Sequence, residues 1–294
     1  YTYGKRDRVA KELHKDAVGT LVWTHEYEYG KHQQLALHKI FDGQNTLQTT
    51  MVHTFDKKGA REEYAIYDGD QQAGKLKSDV NGVALYRFTY TDKGRLIKES
   101  RHGTTQVVDA EGKQDYLLVN ALDQWALIVN TYDAEKERDV ISTQSVRVDN
   151  AGNKVFEEWT NVERRLSYRI ERTFEDDLLA SAIRTDYSPK GLAVKRTYTG
   201  ADATVLYVAL LTYTSNELFM EESYFAEDGT TAAMAAAGYH KMRREYNEDQ
   251  TTKSDTYFDD AGNKVKTLMY EYKDDGSFAG TKTYDAEGKE VRQP

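Results

Sequence analysis

The chain of 294 residues contains no cysteine and only two prolines. The first absence excludes disulfides and thiolate metal centres. It leaves the cellular compartment open. One proline, Pro189, falls in Tyr187-Ser188-Pro189-Lys190-Gly191, where a fixed φ suits a turn, and the other, Pro294, is the last residue. No proline therefore interrupts a candidate strand. Long hydrophobic runs are missing as well: no apolar stretch approaches the roughly 20 residues of a membrane span, and no signal peptide is visible. Tyr1 already lies inside a repeat, which suggests a mature or excised form. Tryptophan is scarce, at 3 residues, whereas tyrosine is abundant, at 22. A net charge of -9, from 40 basic and 49 acidic residues, comes without a basic block. Nucleic acid and membrane insertion are therefore excluded as expected partners. Mean hydropathy is -0.78, low for a thick two-layer protein and suited to a thin sheet with much wetted surface. Aromatics make up 12% of the chain and fall at regular positions, which argues against disorder.

What is present is one short word, repeated from end to end. It reads Phe55-Asp56-Lys57-Lys58-Gly59, Tyr90-Thr91-Asp92-Lys93-Gly94, Phe258-Asp259-Asp260-Ala261-Gly262 and Tyr284-Asp285-Ala286-Glu287-Gly288. Weaker copies start at Tyr3, Tyr29, Phe41, Tyr67, Tyr132, Phe174, Tyr187, Tyr213, Phe225, Tyr246 and Tyr272, and Val108 and Val148 replace the aromatic in two more. Steps of about 12–14 residues between words fit one strand of about eight residues plus a tight turn. Asp and Asn cap such turns through their side chains, and Gly supplies a positive φ. Between words the chain alternates: Leu166, Tyr168, Ile170, Arg172 and Phe174 share one face, with Ser167, Arg169, Glu171 and Thr173 on the other. That is the period of a strand with one wetter face. Two stretches, residues 114–130 and 205–211, are apolar on both faces and predict burial on both sides. Residues 230–238 are Ala-rich and suit a helical turn or longer loop. Arg8–Lys15 has a helical look, but its register against Tyr90–Ser100 argues for strand. No linker is visible, so residues 1–294 read as a single continuous array. The predicted fold is all-β: a long antiparallel meander of strand–turn repeats, forming a coiled single sheet or a spiral or shell. A β-propeller needs longer blades and fits less well.

The word Tyr90-Thr91-Asp92-Lys93-Gly94-Arg95-Leu96 resembles the YD repeat of the RHS type, whose core is Tyr-Asp-x-x-Gly-Arg-Leu. The stretches from Tyr224 to Gly229, from Gly238 to Lys241 and from Tyr257 to Asn263 are similar to repeats of bacterial secreted and envelope-associated proteins. The resemblance implies antiparallel strands wound into a long sheet, shell or spiral, and an extracellular or cell-envelope address. RHS toxin shells also carry a self-cleaving core segment and a toxin tip, and neither has a counterpart in these residues.

Motifs that carry chemistry do not rise above the repeat. His14, His25, His32, His38 and His53 cluster early, and residues 13 or 26 apart can become neighbours in a meander, as with His25 and His38. No His-Glu-x-x-His word accompanies them, so exposed histidines on polar strand faces are expected and no metal site is assigned. The turns Asp149-Asn150-Ala151-Gly152-Asn153 and Asp259-Asp260-Ala261-Gly262-Asn263 lack the spacing of a calcium loop and read as Asx turns. Adjacent acids such as Glu157-Glu158 and Glu221-Glu222 face opposite sides of a strand and cannot act as a glycosidase pair. No Gly-x-Ser-x-Gly elbow and no phosphate-binding glycine loop occurs. The expectation is therefore a non-catalytic module without a cofactor. Its candidate binding residues are aromatic: Trp23, Trp159, Tyr168 and Tyr198, offered to a protein or a cell-surface glycan. Trp125, in an apolar segment, reads as core. Two alternatives remain, a shell fragment of an RHS-type toxin system and an enzyme with an unrecognised carboxylate site.

Overall fold

The computed structural model describes the whole chain except residues 109–111, 134–138, 162, 164, 232–237 and 292–294. Among the described residues there is no α-helix, only strands, turns and the short 3-10 turns Lys5–Asp7 and Gln71–Ala73. The chain packs as two units, Tyr1–Arg164 and Arg165–Pro294.

The first unit holds β1 (Thr2–Tyr3), β2 (Val9–Lys15), β3 (Leu21–Tyr29), β4 (Leu35–Asp42), β5 (Leu47–Phe55) and β6 (Arg61–Asp68). It continues with β7 (Leu85–Tyr90), β8 (Leu96–Val108), β9 (Gln114–Leu118), β10 (Leu127–Tyr132), β11 (Val140–Val148) and β12 (Lys154–Asn161). Consecutive strands pair antiparallel from β1 to β8. The long β8 then takes two successive partners, β10 along Lys98–Ser100 and β9 from His102 to Val108, before β10, β11 and β12 resume the meander. The second unit is a plain meander of β13 (Leu166–Glu175), β14 (Leu178–Tyr187), β15 (Ala193–Thr199), β16 (Val205–Tyr213) and β17 (Phe219–Phe225). It ends with β18 (Lys241–Tyr246), β19 (Thr252–Phe258), β20 (Lys264–Tyr272), β21 (Phe278–Tyr284) and β22 (Glu290–Val291). Among the described residues no pairing joins the first strand of either unit to its last, so each sheet is open. Val9–Lys15 is strand, as the register of this stretch against Tyr90–Ser100 indicated, and Arg8 closes the 3-10 turn before it.

The repeated word is the hairpin turn. In Phe55–Gly59 the Asp56 N–H donates to Ala60 O at 2.8 Å and Gly59 N–H donates to Asp56 O at 3.1 Å. Asp56 Oδ1 accepts from the Lys58 and Ala60 amides, both at 2.8 Å. Gly59 has φ +90°. This is a type I turn followed by a left-handed residue, the three-residue hairpin loop with a bulge. The bulge explains why the register slips by one at the base of hairpin after hairpin. Where the second residue of the word is Thr or Ser, its hydroxyl replaces the carboxylate: Thr91 accepts from Arg95 N–H at 3.1 Å and Ser188 from Leu192 N–H at 3.2 Å.

The core is small, as the low hydropathy requires. In the first unit a row of backbone hydrogen bonds crosses the sheet through buried positions. Ile66 N–H donates to Ala84 O and Ala84 N–H to His102 O, while Arg101 N–H donates to Ala126 O and Ala126 N–H to Val146 O. Ala84, Ala126 and Val146 are fully buried on this row. Ala65, Leu76, Ala84 and Leu85 cluster beside it with Tyr67 and Tyr116 packed against them.

Two expectations need correction. Residues 205–211 are not buried on both sides: Leu206 and Leu210 are exposed, whereas Ala209 and Leu211 on the other face are buried. Across residues 114–130 burial is confined to Ala126 and Leu127, and Leu122 in the intervening turn is 75% exposed. Sheet neighbours occupy the hydrogen-bonding directions only, so an apolar run gains a second covered face only where another segment lies over it. The Ala-rich stretch 230–238 falls largely on residues 232–237, outside the described residues.

Candidate functional site

Register sorts the first unit's side chains into two faces. On one face Tyr27, His38, Met51 and Ile66 are successive cross-strand partners, as are His53, Tyr64, Tyr86 and Arg101. Glu12, His14, Trp23 and His25 belong to the same face, because Glu12 stands opposite His25 and His14 opposite Trp23. His25, His38 and His53 are thus half-buried among other rings, whereas His14 and His32 are exposed as expected. His14 and His25 rings lie 4.8 Å apart, His25 and His38 5.1 Å, and Tyr27 stacks on His38 at 4.6 Å. His53 stacks on Tyr64 at 4.6 Å, and Tyr64 on Tyr86 at 5.7 Å. Two returning segments lean over this face. Asp79 accepts from the Tyr86 hydroxyl at 2.8 Å, and Arg101 pairs with Asp123 while donating to Trp125 O at 2.9 Å.

Electrostatics on this face follows from partial burial. Burial, and then the neighbouring His14, holds the His25 imidazole below its ordinary pKa. Burial also lowers His38, with His25 adding to the effect. His53 falls furthest, to about 4, through burial and the charges of Arg61 and His38. Its Nδ1 is buried with no hydrogen-bond partner among the described residues. Tyr27, which donates to Glu12 Oε2 at 3.0 Å, is pushed up to about 12 by burial and by that carboxylate. Glu12 itself is lowered, chiefly by a hydrogen bond from the Tyr1 hydroxyl. At neutral pH His25, His38 and His53 are therefore neutral, and the Glu12 carboxylate beside them is ionised.

The opposite face forms an open cleft of about 390 Å³, lined by Arg87, Lys98, Ser100, His102, Asp115 and Tyr116 among others. His102 Nδ1 lies 2.7 Å from Tyr116 O and its Nε2 lies 3.0 Å from Ser100 Oγ. The carbonyl fixes the proton on Nδ1, so the Ser100 hydroxyl donates to Nε2. This is the bonding of a serine–base pair, yet both side chains are buried within the sheet. Arg87 on the cleft wall is held between Glu63 and Asp115. The arrangement satisfies the buried Ser100 and His102 side chains and holds Arg87 between two carboxylates.

The aromatic candidates fall into different places. Trp23 is the most open, with 42% of its surface exposed. Trp159 is half-buried on β12, opposite Gln144. Tyr168 is half-buried, with the Arg184 guanidinium 4.1 Å above its ring. Tyr198 stacks on Tyr207 at 4.3 Å. From there a row continues edge-on through Tyr224, Tyr239 and Tyr257 at ring separations of 5.8, 5.8 and 4.8 Å. Tyr224 is buried and its hydroxyl is raised well above the ordinary range by burial and by Glu222. Trp23 and Trp159 are far apart in the strand order, and Tyr168 and Tyr198 belong to the second unit. The structure thus brings Tyr198 into a row of tyrosines within the second unit. Trp125 is half-buried, not core, and sits against Arg147 and Phe156.

A second population of tyrosines has a different task. At the ends of β3, β16 and β20, Tyr29, Tyr213 and Tyr272 donate their hydroxyls to the carbonyls of Val9, Ala193 and Thr252 at 3.0, 2.7 and 2.9 Å. Tyr132 and Tyr246 do the same to Leu96 and Phe219. In each case the acceptor is the first residue of a strand that pairs with the tyrosine's own. These are the aromatics of the repeated word, and they lock strand ends together.

The acids behave likewise. Glu157 accepts from Gln144 at 2.6 Å and Glu222 pairs with Arg196 at 3.1 Å, while Glu221 is held by Arg243 at 2.9 Å. Neighbouring acids do point to opposite faces. Another signal, Asp-x-Thr or Asp-x-Ser, was not legible from the word alone. Asp202, Asp228, Asp249 and Asp275 each accept from the hydroxyl two residues on, at 2.6–2.7 Å. They cap turns whose second residue is not acidic.

No family model matches this chain, and no curated protein matches it. Among solved structures it is similar to the TcdB2–TccC3–Cdc42 complex, at 11% identity and a TM-score of 0.29, over 92% of this chain and 16% of that one. It is also similar to the Photorhabdus luminescens Tc holotoxin pore, at 11% identity and a TM-score of 0.28, over 92% and 15% of the two chains. A third similarity is to TcdB2–TccC3–TEV, at 12% identity and a TM-score of 0.27, over 94% and 18%. The chain therefore spans less than a fifth of the length of each.

Proposed function

We propose that the chain is a non-catalytic structural module, an antiparallel repeat array whose sheet faces serve as scaffold and as docking surface for a protein or a cell-surface glycan. One observation carries this reading: the residues that define the repeat are engaged by the fold itself. Word tyrosines bond to strand-end carbonyls, turn acids bond to turn amides, and the glycines provide the left-handed turn residue. What the repeat conserves from word to word is thus architecture. The Ser100–His102 pair and the paired acids are satisfied internally in the same way. The resemblance of Tyr90–Leu96 to a YD word supports an extracellular or envelope setting and a second reading, a wall segment of an RHS-type shell.

The test is capture by immobilised 1–294 from two separate pools, purified cell-wall glycan and envelope protein. Trp23 is the most exposed of the four candidate aromatics, so saturable glycan capture that weakens severalfold in Trp23→Ala supports a docking face. Capture of one defined protein, retained in Trp23→Ala, supports scaffold or shell. Turnover of any captured glycan would overturn the non-catalytic reading.

A further inference from the structure

The face of the first unit places three metal-type ligands together. Glu12 and His14 project from β2 on one side of the sheet, and His25 faces Glu12 from β3. One ligand atom from each lies within 4.8 Å of the other two. His14 Nε2 is 3.2 Å from Glu12 Oε1. A tetrahedral zinc site with bonds of about 2.0–2.1 Å sets its ligand atoms roughly 3.4 Å apart. Only a small inward rotation separates this set from that geometry, and His14 is exposed and free to make it.

The surroundings match what such a site needs behind its ligands. Tyr27 donates to Glu12 Oε2, which orients the carboxylate and leaves Oε1 toward His14. His25 Nδ1 is 3.1 Å from His38 Nε2, so one ring nitrogen is fixed by a neighbour and the other is left for an ion. Ligating histidines are ordinarily held in this way through their second nitrogen.

We propose that Glu12, His14 and His25 bind one divalent transition-metal ion of the zinc class, with His38 and Tyr27 as positioning residues. Two imidazoles and one carboxylate suit zinc and exclude the all-oxygen preference of calcium and magnesium. Three protein ligands leave a fourth position open to water or to a donor group on a partner. The ion clamps β2 to β3. This inference stands independently of the scaffold reading.

The test is calorimetric titration of untagged 1–294 with zinc chloride alone at pH about 7.5, since metal competes with protons for its ligands. The expected result is one saturable equivalent and a higher Tm in excess zinc. His14→Ala and His25→Ala each weaken binding more than about tenfold, His38→Ala weakens it less, and His32→Ala, on the β3–β4 turn, leaves it unchanged. His14 is exposed, so its variant keeps the fold and decides the question if His25→Ala melts. Absence of a saturable phase, or undiminished binding by His14→Ala, overturns the proposal. Equal loss in His32→Ala overturns it too.

Discussion

At the scale of single residues the turns decide most of what can be predicted. Their fourth position lies in the left-handed region whichever residue occupies it. Gly262 has φ +84° there, whereas Ala203 has φ 63°. A Cβ in that region costs about 1–2 kcal/mol, offset in part by the greater freedom glycine has when unfolded. Ala203→Gly should therefore stabilise the protein by about 1 kcal/mol, and Gly262→Ala should destabilise it similarly, read as shifts of the urea midpoint. His53 supplies a pH dependence. Its folded pKa, about 4, lies below the ordinary imidazole value of 6.5. The unfolded chain therefore binds the proton more readily, and stability is lost as pH falls from about 6.5 to about 4. His53→Phe keeps an aromatic ring on Tyr64 and removes the titration. Urea unfolding across that range should show a shallower loss in the variant, and parallel slopes would rule His53 out as a source.

At the scale of strands and hairpins the recurring device is the tyrosine lock. Tyr213→Phe removes only the hydroxyl that Ala193 O accepts. Such a bond contributes about 1 kcal/mol net. Tyr213, Tyr246 and Tyr272 serve three different acceptors, so a triple Phe variant should lose about 3 kcal/mol, near the sum of the singles. A second device joins β18 to β19. Arg244 forks onto both oxygens of the buried Asp255 at 2.7 Å, and Tyr270 donates to the same carboxylate at 2.7 Å. Arg244→Met strands that carboxylate and should cost about 3 kcal/mol or more, whereas an exposed pair such as Lys190–Glu217 should cost less than about 1. Much of this level was legible in the sequence, because hairpin turns depend on local chemistry. Asp56 and Gly59 announce theirs. The tyrosine locks were not legible: the word shows an aromatic at each strand end but not that its hydroxyl reaches a neighbouring strand's first carbonyl. The histidine cluster was half legible. His25 and His38 are 13 apart, a spacing that allows the contact they make, but His14 and His25 are 11 apart and meet only because the β2–β3 hairpin carries a bulge. Burial on both sides of residues 205–211 failed because composition does not reveal whether another segment covers a strand.

At the scale of the whole molecule, an array of this kind is held mainly by contacts between neighbouring strands. Opening should therefore be local and graded, and it should begin where a strand has few paired residues and little buried area. β1 and β22 are exposed strands of 2 residues each, bonded to one neighbour. By contrast Ala84, Arg101 and Ala126 donate their amides along the buried row of the first unit, where strands lie on both sides and Ala84 and Ala126 have no exposed surface. Native-state hydrogen exchange should rank these amides slowest in residues 1–164, with the amides of β1 exchanging orders of magnitude faster. Substituting Ala126→Gly weakens that row without adding volume. The fully buried methyl it removes is worth about 1 kcal/mol of burial, and glycine adds backbone freedom to the unfolded chain. Exchange should then accelerate at Arg101 and at Ala84, two strands away, while β1 stays as it was. Equal acceleration of the β1 amides would mean that the first unit opens all at once, and the nearest-neighbour account would fail for it.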